Sequence, residues 1–219
     1  IEKHQTNRAL RALETFGVDP SISREEFFEY KFDVEYSRES ILADVRNKYL
    51  KELNREKIPE EYLPALELIK SWNLRADSSN TAAALSILTL PNAFRKEDLK
   101  FDTDSINIKL KESISFLEKN FGSIEVPLGR VNRLLRGNTS LPLSGGPGTL
   151  RAVYSKKSGK VYKAVAGDCY IQAVEWAPDG QLNAWSVHQY GSSANDKSSP
   201  HYDDQSKLFS KHEMKQIRP

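Results

Sequence analysis

The sequence is poor in cysteine. Of 219 residues only Cys169 carries a thiol, which excludes an internal disulfide and leaves the redox compartment open. It also lacks a long apolar run, so no segment has membrane-spanning length, and nothing at Ile1-Glu2-Lys3-His4 reads as a signal peptide. Charge of one sign is missing too. With 32 Lys and Arg against 30 Asp and Glu the net charge is +2, so no strong field favours nucleic acid or an anionic membrane, and neither is expected as a partner. There is no repeat, no low-complexity tract and no initiator Met, and the last of these suggests a stretch cut from something longer. What is there is a chain long enough to bury a core as one or two domains.

Helical spacing dominates the first half. Ala9, Leu10, Leu13 and Phe16 form one stripe, and Gly17 stands where a helix takes a left-handed stop. Ser23 with Glu26 makes a capping-box pattern ahead of Phe27 and Phe28. Ser37 precedes a longer stripe of Ile41, Leu42, Val45, Tyr49 and Leu53, and Pro59 fits the first turn of a helix carrying Leu63, Leu66, Ile69 and Trp72. Thr81 to Leu90 reads as a buried helix stopped near Pro91. Asp104 is expected to cap a helix with the face Ile106, Leu110, Ile114 and Leu117, which Gly122 ends.

The clearest break in composition runs from Pro142 to Gly148, and the period then changes to alternation. Leu150, Ala152 and Tyr154, then Val161, Lys163 and Val165, flank Lys156-Lys157-Ser158-Gly159 as a hairpin would. Tyr170 to Trp176 and Leu182 to Val187 make two further strands around the turn Pro178-Asp179-Gly180. Gly191 to Gln205 is polar enough to be a loop by periodicity alone, and a helical turn is expected over Lys211 to Ile217. The expectation is an α+β chain: a mainly helical segment over 1–141, then an antiparallel β segment with a closing loop and short tail over 142–219.

Three blocks, Gly145-Gly146-Pro147-Gly148-Thr149-Leu150-Arg151, Gly167-Asp168-Cys169-Tyr170 and Ser199-Pro200-His201-Tyr202-Asp203-Asp204-Gln205, resemble in that order the C-terminal part of the large subunit of penicillin-acylase-type enzymes. These are a branch of the N-terminal nucleophile hydrolases. Asn7 to Glu14, Ser71-Trp72 with Asp77-Ser78, and Val126 to Leu134 extend the resemblance along the chain, and Gly129 to Leu134 is more similar to the acyl-homoserine-lactone and aculeacin acylases.

The resemblance implies part of a four-layer αββα fold and amide hydrolysis through an acyl-enzyme. A processed N-terminal Ser attacks with its own amine as base, and an Asn helps to hold the oxyanion. Residue 1 here is Ile, which cannot attack a carbonyl, so the nucleophile and that Asn are expected outside this chain, and the chain alone is expected to be inactive. A supporting Arg of the family aligns with Gln5, leaving Arg8, one turn on, as the candidate catalytic residue. The resemblance further implies the rest of the acylase as partner (its small subunit and the N-terminal part of its large subunit), a small acyl amide as substrate, and a bacterial periplasmic or secreted location. It implies no cofactor in this chain, with calcium possible in the complete enzyme. In the closing loop it marks Tyr202, Asp203 and Asp204 as anchors, the carboxylates accepting backbone N–H groups.

Other readings of the reactive residues are weaker. Cys169 with His188 has the composition of a thiol hydrolase, but a lone Cys at an alternating position is expected to pack as a small hydrophobe. His201, Asp203 and Asp204 with His188 or His212 match no established metal spacing. The glycine-rich turn lacks the Lys-Ser/Thr of a phosphate loop, so it is read as a turn feeding a strand. A noncatalytic ligand-binding module on an acylase scaffold is the alternative function.

Overall fold

Local capping sets most of the helices. A computed structural model describes residues 5–53, 58–91 and 101–217; Ile1 to His4 lie outside them. Helix α1 (Asn7–Glu14) starts at Thr6, whose side chain accepts from Ala9 N, and α2 (Arg24–Lys31) has both halves of the Ser23–Glu26 capping box. Helix α1 stops at Glu14 rather than at Gly17. Gly17 lacks a left-handed backbone, and a β-carbon there would lie 2.6 Å from the Leu13 carbonyl oxygen, so close approach is what requires the glycine.

Helix α3 (Ile41–Glu52) is capped by Ser40, not Ser37, whose hydroxyl instead donates to Glu14 at 2.6 Å. Pro59 precedes a 3-10 turn, Glu60–Tyr62, that leads into α4 (Leu63–Ser71). After α5 (Ala83–Thr89) comes α6 (Thr103–Phe121), and its cap is Asp102: the carboxylate accepts from Asp104 N at 3.3 Å and Ser105 N at 3.0 Å. Asp104 therefore lies inside the first turn it was expected to cap. Gly122 ends α6 in the left-handed region at φ 78°.

These helices close over one core. Tyr49 of α3, Ile69 of α4, Leu85 of α5 and Leu117 of α6 are fully buried, and Trp72 meets Tyr36 edge to face at 5.6 Å. Burying side chains of this size contributes about 1.5–3 kcal/mol each, so the helical stripes supply most of the apolar stabilisation of this half.

The strands begin earlier than expected. After the short α7 (Leu128–Val131), β1 (Asn132–Arg136) and β2 (Thr139–Pro142) form a hairpin around Gly137, before the Pro142 break. Strands β3 (Val153–Ser158) and β4 (Val161–Gly167) pair around Gly159, and β4 lies parallel to β1, giving a mixed sheet of order β2-β1-β4-β3. The parallel pairing departs from a pure antiparallel meander.

A second, antiparallel sheet has the order β5-β6-β7, from Tyr170–Trp176, Leu182–His188 and Lys215–Gln216. Before β7 stands α8 (Ser206–Ser210), so the expected helical turn over 211–217 is replaced by a strand and by His212 at φ 61°. Phe32, Leu134, Leu143, Val153, Ile171, Val187 and Phe209 form the core under the sheets. The fold is α+β, helices followed by antiparallel-rich sheets.

Candidate functional site

The junction of the two halves carries the charged chemistry. Asn7, on the first turn of α1, donates to Glu35 O at 3.1 Å and Gly148 O at 3.0 Å and accepts from Ser37 N at 2.8 Å, so one amide ties α1, the segment before α3 and the glycine-rich turn. That turn feeds β3, as expected. Gly145 (φ 107°) donates its N–H to Ala76 O, the Thr149 hydroxyl donates to Arg151 O at 2.6 Å, and Val153 N returns to Gly146 O.

Beside it lies a cleft of about 500 Å³ whose walls include Phe28, Tyr30, Phe32, Arg11, Arg75 and His212. Arg11 donates to Asp33 at 2.6 Å and Glu14 at 2.7 Å, and Arg75 to Asp77 at 2.8 Å and Glu35 at 3.1 Å. The guanidinium donors are thus engaged by the chain's own carboxylates, so the network ties α1 to the Glu35–Arg75 bridge.

Arg151 is 0 % exposed. Its guanidinium lies 3.9 Å over the Phe209 ring and 3.6 Å from Asp168, which also takes Lys31 at 3.0 Å. Burial pulls its pKa down to about 10, against the pull of Asp168, so it stays charged at neutral pH. His212 is stacked flat on Phe32 with centroids 4.9 Å apart. Its pKa is lowered to about 4, first by burial and then by Arg151 and Lys31, while Asp77 and Asp168 oppose the shift. The imidazole is neutral at pH 7.

Arg8 is exposed at the start of α1 and donates to the Tyr154 hydroxyl at 3.2 Å, joining α1 to β3. Gln5 lies just before the Thr6 cap. Cys169 is exposed ahead of β5, its carbonyl accepting from Gln189 N at 2.8 Å, which overturns the packing reading. His188 faces Tyr170 across the ladder at 4.8 Å, and among the described residues no hydrogen bond joins it to Cys169. Nor does any group of three His, Cys, Asp or Glu among the described residues have the geometry to hold a metal.

The closing loop packs against the β1–β2 hairpin through a residue the sequence reading missed. Arg136 donates to Ser193 O at 3.2 Å, Ala194 O at 2.8 Å and Tyr202 O at 3.3 Å, and its guanidinium lies 3.7 Å over the Tyr202 ring. The Thr139 hydroxyl donates to Asp203, and His201 Nδ1 lies 2.9 Å from Asp204. Among the described residues no backbone N–H reaches either carboxylate; the loop backbone is held by Arg136 and by Gln205, which accepts from His188 N at 3.0 Å. The signal for Arg136 was its place in Arg136-Gly137-Asn138-Thr139, a two-residue turn between apolar alternations.

No helix among the described residues is long and apolar enough to cross a membrane. A search of curated proteins finds no match. Among solved structures the chain is similar to a thermostable penicillin G acylase from Alcaligenes faecalis, at 11% identity and TM-score 0.43, over 96% of this chain and 49% of that one. It thus spans about half the length of the acylase chain it matches. The family model for penicillin amidase matches residues 2–218, and the chain belongs to that family.

Proposed function

We propose that this chain is the C-terminal part of the large subunit of an acylase, an amidohydrolase that cleaves an acyl group from an amide such as an acyl-homoserine lactone or a penicillin-like compound. The family match over residues 2–218 carries the reading. The junction geometry supports it in a second way. The buried charges are ion-paired or packed against aromatic rings, and no base is hydrogen-bonded to the one thiol among the described residues, as expected of a part that positions rather than attacks.

In this reading a processed Ser elsewhere in the protein is the nucleophile, and Arg8 is a positioning residue that acts through Tyr154. Tyr202 anchors the closing loop through Arg136, and Asp203 through the Thr139 hydroxyl, while among the described residues Asp204 takes only His201 of the same loop. The partners are the small subunit and the N-terminal part of the large subunit, and the exposed apolar residues of the β5–β6 sheet, Trp176 at 74% and Leu182 at 58%, suit a surface covered by them. The protein is periplasmic or secreted in a bacterium, with calcium as an ion of the complete enzyme.

The test is amine release by the full-length protein from panels of acyl-homoserine lactones and phenylacetyl amides, with the mass of its mature subunits measured alongside. Turnover with a cleaved chain that begins with Ser, Thr or Cys is expected. A folded, uncleaved protein without turnover points to the ligand-binding alternative, which Gln5 in place of the family's Arg favours.

A further inference from the structure

Residues 126–167 hold eight Lys and Arg and no Asp or Glu, although the chain as a whole is close to balance at +2. All four strands of the mixed sheet fall in this stretch. One face of that sheet packs inward: Asn132 and Leu134 are buried, and Tyr162, the register partner of Asn132, meets the Phe116 ring at 5.2 Å. The residues that alternate with them belong to the outer face. There Arg133 of β1 pairs in register with Lys163 of β4, and Lys163 with Lys156 of β3, so three cations stand side by side across three adjacent strands. Strands lie about 4.8 Å apart, which gives the row a length of about 10 Å.

The row is charged and uncompensated by its own sheet. Arg133 donates to Ser140 Oγ at 3.1 Å, Ser140 O at 2.6 Å and Gly129 O at 2.8 Å, three neutral oxygens that fix the guanidinium without neutralising it. Burial lowers its pKa and no carboxylate opposes the shift, whereas acids raise those of Arg11 and Arg75. Lys156 is exposed and Lys163 half-buried. Like charges directly opposite in a ladder oppose pairing, so an anion laid over the row removes a cost the sheet otherwise carries.

The surroundings of the row decide the kind of anion. Leu135 and Val161, two residues along β1 and β4, flank it on either side. Strands β1 to β4 have no Trp or Phe to enter a lipid headgroup layer. Their one outer aromatic, Tyr154, takes Arg8 on its hydroxyl, so the face lacks the successive rings on which bases stack. Carboxylates one helical turn apart lie about 5–6 Å from each other, close to the pitch of the row.

We propose that this outer face is a docking surface for an acidic segment of another polypeptide. Its carboxylates lie along Arg133, Lys163 and Lys156, and its apolar side chains meet Leu135 and Val161. The assignment stands on these residues and does not depend on the acylase reading.

Fluorescence anisotropy on the full-length protein tests it with a labelled peptide of Glu and Ala, against the same peptide carrying Gln in place of Glu. The Glu peptide is expected to bind saturably and to weaken as salt is raised, and the Gln peptide to bind more weakly by about tenfold or more. Lys156→Glu should weaken the Glu peptide by about tenfold or more and leave the melting temperature equal or higher, because it sets an opposite charge beside Lys163. Arg24→Gln, which removes an exposed cation on α2, should leave binding unchanged. Where Lys156→Glu fails to fold, Lys163→Gln decides. Absence of saturable binding, equal binding of the Gln peptide, a row variant that binds as tightly as the parent, or tighter binding of an oligothymidylate or of phosphatidylserine vesicles overturns the proposal.

Discussion

The helical half and the second sheet treat their apolar residues in opposite ways. In α3 to α6 every stripe finds a partner within the chain, so Tyr49, Ile69, Leu85 and Leu117 are fully buried. Strand β5 alternates just as regularly, yet only Ile171 and Ala173 face a core, and Tyr170, Val174 and Trp176 face outward beside Leu182 of β6. Regular patterning is therefore the same in both regions and cover is not. The difference teaches that the helical half covers its own stripes, with Tyr162 of β4 packed against them, whereas the second sheet has an open apolar face.

The largest effect that sharpens this contrast is in the helical core. Trp72→Ala should cost about 3–5 kcal/mol in chemical denaturation of the chain, because the cavity under Tyr36 cannot fully collapse. A loss below 1 kcal/mol would mean that the core is looser than its burial indicates.

Acid should act at the seam between the halves. Folded His212 stays neutral down to about pH 4, whereas the unfolded chain takes its proton near the ordinary value of 6.5. Between those values the unfolded state binds more protons, so stability falls as pH drops from about 6.5 to 4, by about 3 kcal/mol in all. His212→Asn, which tolerates the left-handed backbone, should flatten that part of the stability-versus-pH curve. An unchanged slope would place the titration elsewhere.

Next in size is the closing loop. Arg136→Ala should cost about 1–3 kcal/mol in thermal unfolding of the full-length protein, since three carbonyls lose their donor. Asp203→Ala should cost less than Arg136→Ala, because its partner is a single hydroxyl. Equal melting of both variants and the parent would make the loop a linker. The smallest effect belongs to the open face: in the 219-residue chain, Trp176→Ser should shift stability by no more than about 0.5 kcal/mol.

The same contrast explains what could be read from the sequence. Helix boundaries depend on neighbours three or four residues away, so the Ser23–Glu26 box and the Gly122 stop were legible, and the error at Asp104 falls within the first turn. The parallel pairing of β1 with β4 joins Asn132 to Tyr162 across a long stretch of sequence, and no local pattern encodes it. Arg136 was missed for the same reason: its partners, Ser193, Ala194 and Tyr202, are set by tertiary packing. Cys169 was misread because alternation was extended one residue before the ladder begins. The family blocks marked Tyr202, Asp203 and Asp204 in the closing loop and gave no sign of Arg136, which donates to Tyr202 O and lies over its ring.

The most direct test of the contrast is hydroxyl-radical footprinting of Trp176 and Trp72 in the 219-residue chain and in the full-length protein. Trp72 should be protected in both, because its cover is internal. Trp176 should be oxidised rapidly in the chain and at least tenfold more slowly in the full-length protein. Equal oxidation of Trp176 in the two would show that the face stays open and would contradict its proposed role as a surface covered by the rest of the protein.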